Sequence, residues 1–133
     1  MKKIMIASGP VIVEDGKVLL DQHGDTNFWK FCGGRAEDET EGLKNIAMRK
    51  AKEELGIEIE VLNEVPFFLY TEKETPEGKV DVILVHYLAK RVGEVQPSAE
   101  VREWKWIPMA ELEKENLAPN ILPTLKHFNI LAS

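Results

Sequence analysis

The sequence predicts a single α/β domain: a mixed sheet with helices packed on both faces. Its 133 residues are enough for one packed core and too few for two sizeable domains, so residues 1–133 are expected to form one unit. Apolar segments with strand character dominate the chain, with one long helical segment in the middle and another helix near the end. This order of elements is typical of layered packing of helices against a sheet.

The first part of the chain predicts a hairpin, a polar loop and a short strand. The Ile- and Val-rich composition of the first segment predicts a strand in which Pro10 marks a bend or an edge. Asp15-Gly16 is a strong hairpin signal between two strands. Asp21–Asn27 is a polar loop before the next strand, which leads to Gly33-Gly34. The three predicted strands are Lys3–Glu14, Lys17–Leu20 and Phe28–Phe31.

Leu43–Leu55 has the periodicity of an amphipathic helix, and Gly56 is a typical residue beyond a helix C-terminus. At about 100° per residue, the apolar side chains of the helix form one arc. Glu54 and Lys50 fall inside that arc, and Glu53 lies just beside it. A surface helix normally keeps its charges opposite the core, so this face of the helix is unusual.

The second half of the chain predicts further strands around one central strand, followed by short helices. The predicted strands are Ile57–Val61, Val65–Tyr70 as a continuation past Pro66, Val80–Leu88 as the most apolar and central strand, and Val101–Ile107. The predicted loops are Glu72–Lys79 and Gly93–Ala99. The predicted helices are Ala110–Lys114 and Ile121–Phe128.

Composition and charge exclude several functional classes. The net charge of -6 argues against binding of a nucleic acid polymer, which requires a basic surface. The single cysteine, Cys32, rules out an internal disulfide and suits a reducing compartment, so a cytoplasmic protein is expected. No apolar run reaches the ~18 residues of a membrane span, and the N-terminal apolar run is broken by Ser8-Gly9-Pro10, as in a strand rather than a signal peptide.

Adjacent carboxylates on the buried side of a helix require a cation or hydrogen-bond donors. Lys50 precedes Glu53 and Glu54 by three and four residues, so salt bridges on an exposed helix are one explanation. The other is a divalent cation, because hard oxygen ligands suit Mg²⁺ or Mn²⁺. The three histidines lack the spacing of a zinc motif, and His86 is expected to be a packed core histidine.

The segment FCGGRAEDETEGLKNIAMRKAKEELGI resembles the Nudix box, G-x5-E-x7-R-E-U-x-E-E-x-G-U with U an aliphatic residue. The positions that match are Gly34, Glu41, Arg49, Ala51, Glu53, Glu54, Gly56 and Ile57. Trp29-Lys30-Phe31 resembles the W-x-F that precedes the double glycine. With these flanks the resemblance covers most of the chain. It implies a Nudix-like α/β/α sandwich with a mixed sheet.

The resemblance also implies a divalent metal site and a reaction. Glu53 and Glu54 would ligate Mg²⁺ or Mn²⁺, together with Gly34 through its carbonyl and with Glu41. Arg49 would orient the carboxylates by ion pairing. The implied reaction is hydrolysis of a pyrophosphate bond in a nucleoside diphosphate linked to another moiety, in which a cation activates the attacking water. The expected partner is a small nucleotide-type substrate, and a homodimer is suggested by analogy only.

A second segment late in the chain adds a candidate catalytic carboxylate. EVREWKWI, residues 100–107, looks like the family's E-x-x-E-x-x-W-aliphatic segment, in which a glutamate supplies a further ligand or the general base. Glu103 is the first choice for that role and Glu100 the second. The alternative is that both glutamates are exposed carboxylates on an edge strand and have no catalytic role.

Two departures from the family pattern fall at the expected site. The spacing from Gly34 to Glu41 is one residue longer than in the pattern, so Glu37 and Glu39 are alternatives to Glu41 for its role. Lys50 stands where the family usually carries a metal-binding or catalytic glutamate. This exchange changes the local charge by two units.

Lys50 leaves two functions open. It is compatible with a hydrolase of reduced or altered activity, in which Lys50 and Arg35 are candidate substrate-binding residues. It is also compatible with a catalytically weak or silent nucleotide-binding or regulatory module on the same fold. Cys32 occupies a position usually held by proline and is expected to have a packing role.

Overall fold

The computed structural model describes residues 3–37 and 40–130. Within them the chain forms strands, two α-helices and one 3-10 helix. The strands are β1 Ile4–Glu14, β2 Lys17–His23, β3 Gly34–Arg35, β4 Glu58–Val61, β5 Phe67–Thr75, β6 Gly78–Val92 and β7 Val101–Pro108. The helices are α1 Leu43–Leu55, α2 Ile121–His127 and the 3-10 helix Met109–Lys114.

The strands form one mixed seven-stranded sheet in the order β4-β6-β1-β2-β7, with β3 paired to β1 and β5 paired to β6. β6 is the central strand, as predicted, because it pairs with β1 in parallel and with β4 and β5 in antiparallel orientation. α1 packs on one face of the sheet and α2 on the other. The predicted α/β/α sandwich with a mixed sheet is therefore confirmed.

β1 is a long strand in the middle of the sheet, and the predicted hairpin connects it to β2. Asp15 and Gly16 both have positive φ angles, 51° and 75°, as a two-residue hairpin turn requires. Pro10 lies inside β1 rather than at its end, opposite Tyr87 of β6. On its other side, β1 pairs with β3 at residues 7–8 and with β2 at residues 13–14. Pro10 falls between those two pairings, where its missing N–H removes no ladder hydrogen bond.

The predicted loop Glu72–Lys79 is wrong, because most of it is strand. β5 continues to Thr75 and turns tightly into β6, with Thr75 opposite Gly78. The expected continuation of β4 past Pro66 is also wrong. β4 and β5 are separate strands that pair with different stretches of β6, so the chain must leave the sheet between them.

The strand predicted at Phe28–Phe31 is reduced to two isolated bridges, Asp21 with Lys30 and Trp29 with Leu117. β2 is instead longer than predicted and extends to His23. It takes up the first part of the predicted loop Asp21–Asn27. This extension adds three polar side chains to the strand, those of Asp21, Gln22 and His23.

Two apolar clusters fill the space on either side of the sheet. The cluster under α1 includes Ile12, Leu19, Ala47, Ala51, Leu55 and Val85. The cluster under α2 includes Val11, Val18, Leu20, Ile107, Ile121 and Leu125. In the described part of the chain, no helix is long and apolar enough to cross a membrane.

Candidate metal and catalytic site

α1 is held in place at both ends. Near its start, the buried Ser8 hydroxyl of β1 donates a 2.7 Å hydrogen bond to the Leu43 carbonyl. At its end, Gly56 adopts the left-handed conformation, with φ of 68°, that favours glycine. The loop after β6 closes the helix end, because Gln96 N donates to Leu55 O at 2.7 Å and Ser98 N to Glu54 O at 2.9 Å. The carboxylate-bearing turn of α1 is therefore fixed relative to the sheet.

Glu54 is buried, with an exposed fraction of only 2%. Its Oε2 lies 3.4 Å from Lys50 Nζ, and its Oε1 lies 3.3 Å from His23 Nε2. The Cys32 thiol also lies 3.4 Å from Oε1 and donates to it. Burial raises the pKa of Cys32, and the nearby Glu54 and Asp21 charges raise it further, so this thiol stays protonated. The inward position of Glu54 matches the helical-wheel prediction.

Arg49 joins the other two predicted carboxylates. Its guanidinium donates to both oxygens of Glu41, at 2.7 and 2.9 Å, and to Glu53 Oε2 at 2.9 Å. These hydrogen bonds lower the pKa of Glu53 and raise that of Arg49. The ion pairing expected of Arg49 is therefore present. The additional loop residue before Glu41 does not prevent this contact.

Lys50 places its ammonium between the two adjacent glutamates. Its Nζ lies 3.5 Å from Glu53 Oε1 and 3.4 Å from Glu54 Oε2. Burial opposes its ionisation, but the Glu54 and Glu53 charges outweigh that effect and raise the pKa of Lys50. The positive charge between these two carboxylates is thus that of Lys50, the residue that departs from the family pattern.

A cluster that the sequence did not predict lies next to Glu54. Asp21 and His23 of β2 and Glu54 of α1 bring their ligand atoms within 4.8 Å of one another. The period-two spacing of Asp21 and His23 would have placed both on one face of a strand. Their polar surroundings in DQHGDTN instead indicated a loop.

The two candidate glutamates of the late segment occupy different places. Glu103 is exposed on β7 opposite Gln22 of β2. The neighbouring pair Asp21 and Trp104 points to the other face of the sheet, the face of α1, because successive side chains of a strand alternate. Glu103 therefore lies on the face away from Glu54. Glu100 precedes β7, and its charge contributes to the raised pKa of Lys50.

A cleft of about 720 Å³ lies beside the double glycine. Its lining includes Phe28, Phe31, Cys32, Gly34, Tyr70, His86 and Asn120. Asn120 Nδ2 lies 3.0 Å from His86 Nε2. His86 is buried, as expected, and burial lowers its pKa to about 4, so the imidazole is neutral at pH 7. The cleft combines apolar walls with a few convergent polar groups, which is typical of small-molecule sites.

Arg35 lines a groove of about 610 Å³ next to the cleft. The groove is lined mainly by cationic side chains, and it shares two lining residues, Met5 and Lys73, with the cleft. Its charged lining residues are Lys3, Arg35, Lys73, Glu77 and Lys79.

The fold is an α/β/α sandwich, and the helix that follows the double glycine carries two adjacent glutamates. These features define an α/β protein with a candidate cation site. A family model described as the NUDIX domain matches residues 4–128. The chain belongs to the Nudix family. Among curated proteins, no match to the chain was found.

Solved structures with the same fold include proteins from bacteria and an archaeon. The E. coli ORF135 protein is 26% identical, with a TM-score of 0.72 over 96% of this chain and 90% of that one. The MutT protein from Methanosarcina mazei is also 26% identical, with a TM-score of 0.69 over 96% and 94%. An ADP-ribose pyrophosphatase from Streptococcus suis is 23% identical, with a TM-score of 0.67 over 92% and 87%, and supports the fold alone.

Proposed function

We propose that this protein is a Mg²⁺-dependent hydrolase that cleaves a pyrophosphate bond in a nucleoside diphosphate linked to another moiety. The observation that carries the proposal is the position of Glu53 and Glu54 on α1, a helix whose Lys50 side chain contacts Gly34 at the edge of the cleft. Family membership supports it.

The residues fit a divalent cation. Glu53 and Glu54 offer carboxylate oxygens, the donors that Mg²⁺ prefers. Both carboxylates already face one positive charge, because Lys50 Nζ lies 3.5 Å from Glu53 Oε1 and 3.4 Å from Glu54 Oε2. Gly34 and Glu41 are the further candidate ligands, and Mn²⁺ suits the same donors. A bound cation would withdraw charge from the phosphates and lower the pKa of the attacking water.

The protein's own residues would orient the reactants. Arg49 holds Glu41 and Glu53 through a fork of hydrogen bonds, which limits the rotamers of both carboxylates. The substrate's nucleoside would lie in the cleft, where Phe28 and Phe31 offer apolar contact and Asn120 offers an amide for hydrogen bonding. The basic groove with Arg35 would attract the charged remainder of the substrate.

Glu100 is the better candidate of the two late glutamates for a direct role near the phosphates. Its charge acts on Lys50, whereas strand alternation directs Glu103 to the opposite face of the sheet. In the proposed mechanism Glu100 would accept a proton from water or contribute a ligand. Glu103→Gln would then retain activity, and Glu100→Gln would reduce it.

The test is release of phosphate product from a panel of nucleotide derivatives by purified protein with Mg²⁺ or Mn²⁺. Glu53→Gln and Glu54→Gln should each lower kcat by at least ~100-fold, because each removes a charged ligand. Glu60→Gln, at an exposed position on β4, is the matched control. No turnover of any compound in the panel by the wild type would contradict the proposal.

The second candidate function is a weak or silent nucleotide-binding module. The Lys50 ammonium between Glu53 and Glu54 favours it, because it occupies the space between two expected ligands. Tight nucleotide binding without turnover would support this alternative. Turnover that depends on Glu53 would exclude it.

A cytoplasmic location is part of the proposal, because Cys32 is a free, buried cysteine, which suits a reducing compartment. A homodimer is proposed by analogy alone. Sedimentation at micromolar concentration would decide between a monomer and a dimer.

A further inference from the structure

Asp21 is an unusual residue for the interior of a sheet. It is only 1% exposed, and neither of its carboxylate oxygens accepts a hydrogen bond from the residues that the structure describes. The nearest cationic groups are His23 Nε2 at 3.3 Å and Lys30 Nζ at 3.5 Å. Both distances exceed the ~2.7–2.9 Å of a charge-assisted hydrogen bond. Burial of a carboxylate without such hydrogen bonds costs free energy, and a bound cation would offset that cost.

His23 stands between two carboxylates. Its Nε2 lies 3.3 Å from Asp21 Oδ1 and 3.3 Å from Glu54 Oε1. Among the described residues, this nitrogen also has no hydrogen-bond partner of good geometry. Ligand atoms at ~2.1 Å from one ion are ~3.0–3.4 Å apart when they are neighbours in its coordination sphere. Both distances to His23 therefore fit neighbouring ligands of one cation, and the ligand atoms of all three side chains lie within 4.8 Å of one another.

The fold itself sets this spacing. Asp21 and His23 are two residues apart on β2 and share the face on which α1 packs. Glu54 reaches the same point from the last turn of α1, whose end is bonded to the loop after β6. The Cys32 thiol holds Glu54 Oε1 from a third direction. Three ligands on fixed elements make a site that needs little reorganisation.

We propose that Asp21, His23 and Glu54 bind a first-row transition-metal dication, such as Mn²⁺, Fe²⁺ or Zn²⁺. An imidazole nitrogen with two carboxylates suits these ions, whereas Mg²⁺ prefers oxygen ligands alone. The site shares Glu54 with the proposed hydrolase centre. It does not require Glu53 or any turnover, so it stands or fails independently of the proposed function.

Two lysines balance the site when no ion is bound. Lys50 pairs with Glu54 Oε2, and Lys30 lies near Asp21 Oδ1. The ion would bind between the carboxylates, on the side of Glu54 Oε1, and would repel both ammonium groups. Lys50 is 18% exposed and can turn toward solvent. Lys50→Gln should therefore increase the affinity for the ion.

The experiment is a titration of metal-free protein with Zn²⁺, followed by competition with a chelating dye. The wild type should bind one equivalent, and excess Mg²⁺ should displace it poorly. Asp21→Asn and His23→Gln should each weaken binding by at least ~10-fold. His127→Gln, at an exposed histidine of α2, is the matched control and should bind like the wild type.

The variants separate this proposal from the proposed function. Glu53→Gln should lose Mg²⁺-supported hydrolysis and keep Zn²⁺ binding, whereas Glu54→Gln should lose both. His23 is partly exposed, so its substitution by Gln is expected to leave the fold intact, and circular dichroism checks this. Unchanged Zn²⁺ affinity in both Asp21→Asn and His23→Gln would overturn the proposal. Displacement of the ion by an equal concentration of Mg²⁺ would also overturn it.

Discussion

The aliphatic chain of Lys50 packs over the Cα of Gly34, in the space that a side chain at position 34 would occupy. A Cβ built on Gly34 would overlap Lys50 Cε and would lie only 2.8 Å from Cδ. The helix and the double glycine are therefore in direct contact at the candidate site. This contact guides the Lys50 ammonium toward Glu53 and Glu54.

Substitution of Gly34 by Ala should move Lys50 without unfolding the protein. The added methyl group meets the flexible end of a side chain, which can change its rotamer. The affinity for Mg²⁺ should change, and the free energy of unfolding should fall by about 1 kcal/mol or less. Isothermal titration with Mg²⁺ and urea unfolding measure the two effects.

Gly9→Ala is the informative counterpart. Its Cβ would overlap the backbone carbonyl of Cys32 and lie 2.8 Å from the Cα of Gly33, and backbone atoms cannot rotate away. A loss of about 3 kcal/mol or more is expected, as for other overpacked interior positions. Equal losses in the Gly9→Ala and Gly34→Ala proteins would contradict this account of the two glycines.

Lys50→Gln should lower the stability of the metal-free protein and strengthen its binding of divalent cations. Removal of the ammonium leaves the buried Glu54 without its cation, at a cost of about 2 kcal/mol, less than for a fully buried pair because Lys50 is partly exposed. A bound divalent cation would no longer face the positive charge of the ammonium at ~4 Å. That repulsion amounts to several kcal/mol at an effective dielectric near 20. Urea unfolding with and without Mg²⁺ gives both quantities.

The sign of the pH effect provides a control for the Lys50 experiment. The pKa of Lys50 is raised in the folded protein, so its stabilising contribution is present below about pH 10 and is lost as the pH rises through the folded value. The difference between wild type and Lys50→Gln should therefore shrink in alkaline solution. A difference that grows with pH would contradict the ion pair.

Acid should destabilise the protein through His86. Burial lowers the pKa of His86 from 6.5 to about 4, so the unfolded chain binds a proton between these values and the folded protein does not. The free energy of unfolding should thus fall by about 3 kcal/mol as the pH drops from above 6.5 to 4. His86→Gln should remove this part of the pH dependence.

The measurement is urea unfolding at pH 7 and pH 4.5 for three proteins. These are the wild type, His86→Gln and His127→Gln, the last being changed at an exposed histidine. Other groups also titrate in this range, and the comparison between proteins removes their shared contribution. If wild type and His86→Gln lose the same stability on acidification, His86 is not the buried neutral group described above.

Arg49→Lys should impair catalysis more than stability. Lysine keeps the charge but cannot donate at once to Glu41 and Glu53 as the planar guanidinium does. Glu53 should then lose its fixed rotamer, and kcat should fall by ~10–100-fold, as for other residues that orient metal ligands. The free energy of unfolding should change by less than about 1 kcal/mol, because these pairs are partly exposed. An unchanged kcat would show that the fork has no role in orienting Glu53.

The helix of the site was predictable because local signals agree along α1. The period of its apolar residues and the glycine at its end fix both its bounds and the inward position of Glu54. The outer half of β5 was predicted as a loop because Glu72, Lys73 and Glu74 are exposed and polar. Only its pairing with β6 makes that segment a strand, and the sequence of the segment does not contain this information.

The cluster at Asp21 was missed for a related reason. Asp21 and His23 look like loop residues, since charged side chains are rarely buried in a sheet. Their burial results from the packing of α1 and the segment around Lys30 against β2, contacts between residues distant in the chain. Sequence patterns report periodicity and turns. They do not report which polar groups a fold brings together.

β1 has a consequence for how the protein unfolds. Its neighbouring residues Val11 and Ile12 enter different apolar clusters, and the strand pairs with β6 on one edge and with β2 and β3 on the other. Neither cluster can open while the other stays intact without breaking this shared strand. Both layers should therefore melt in a single cooperative transition, and the cation-binding side chains should lose their arrangement in that same step.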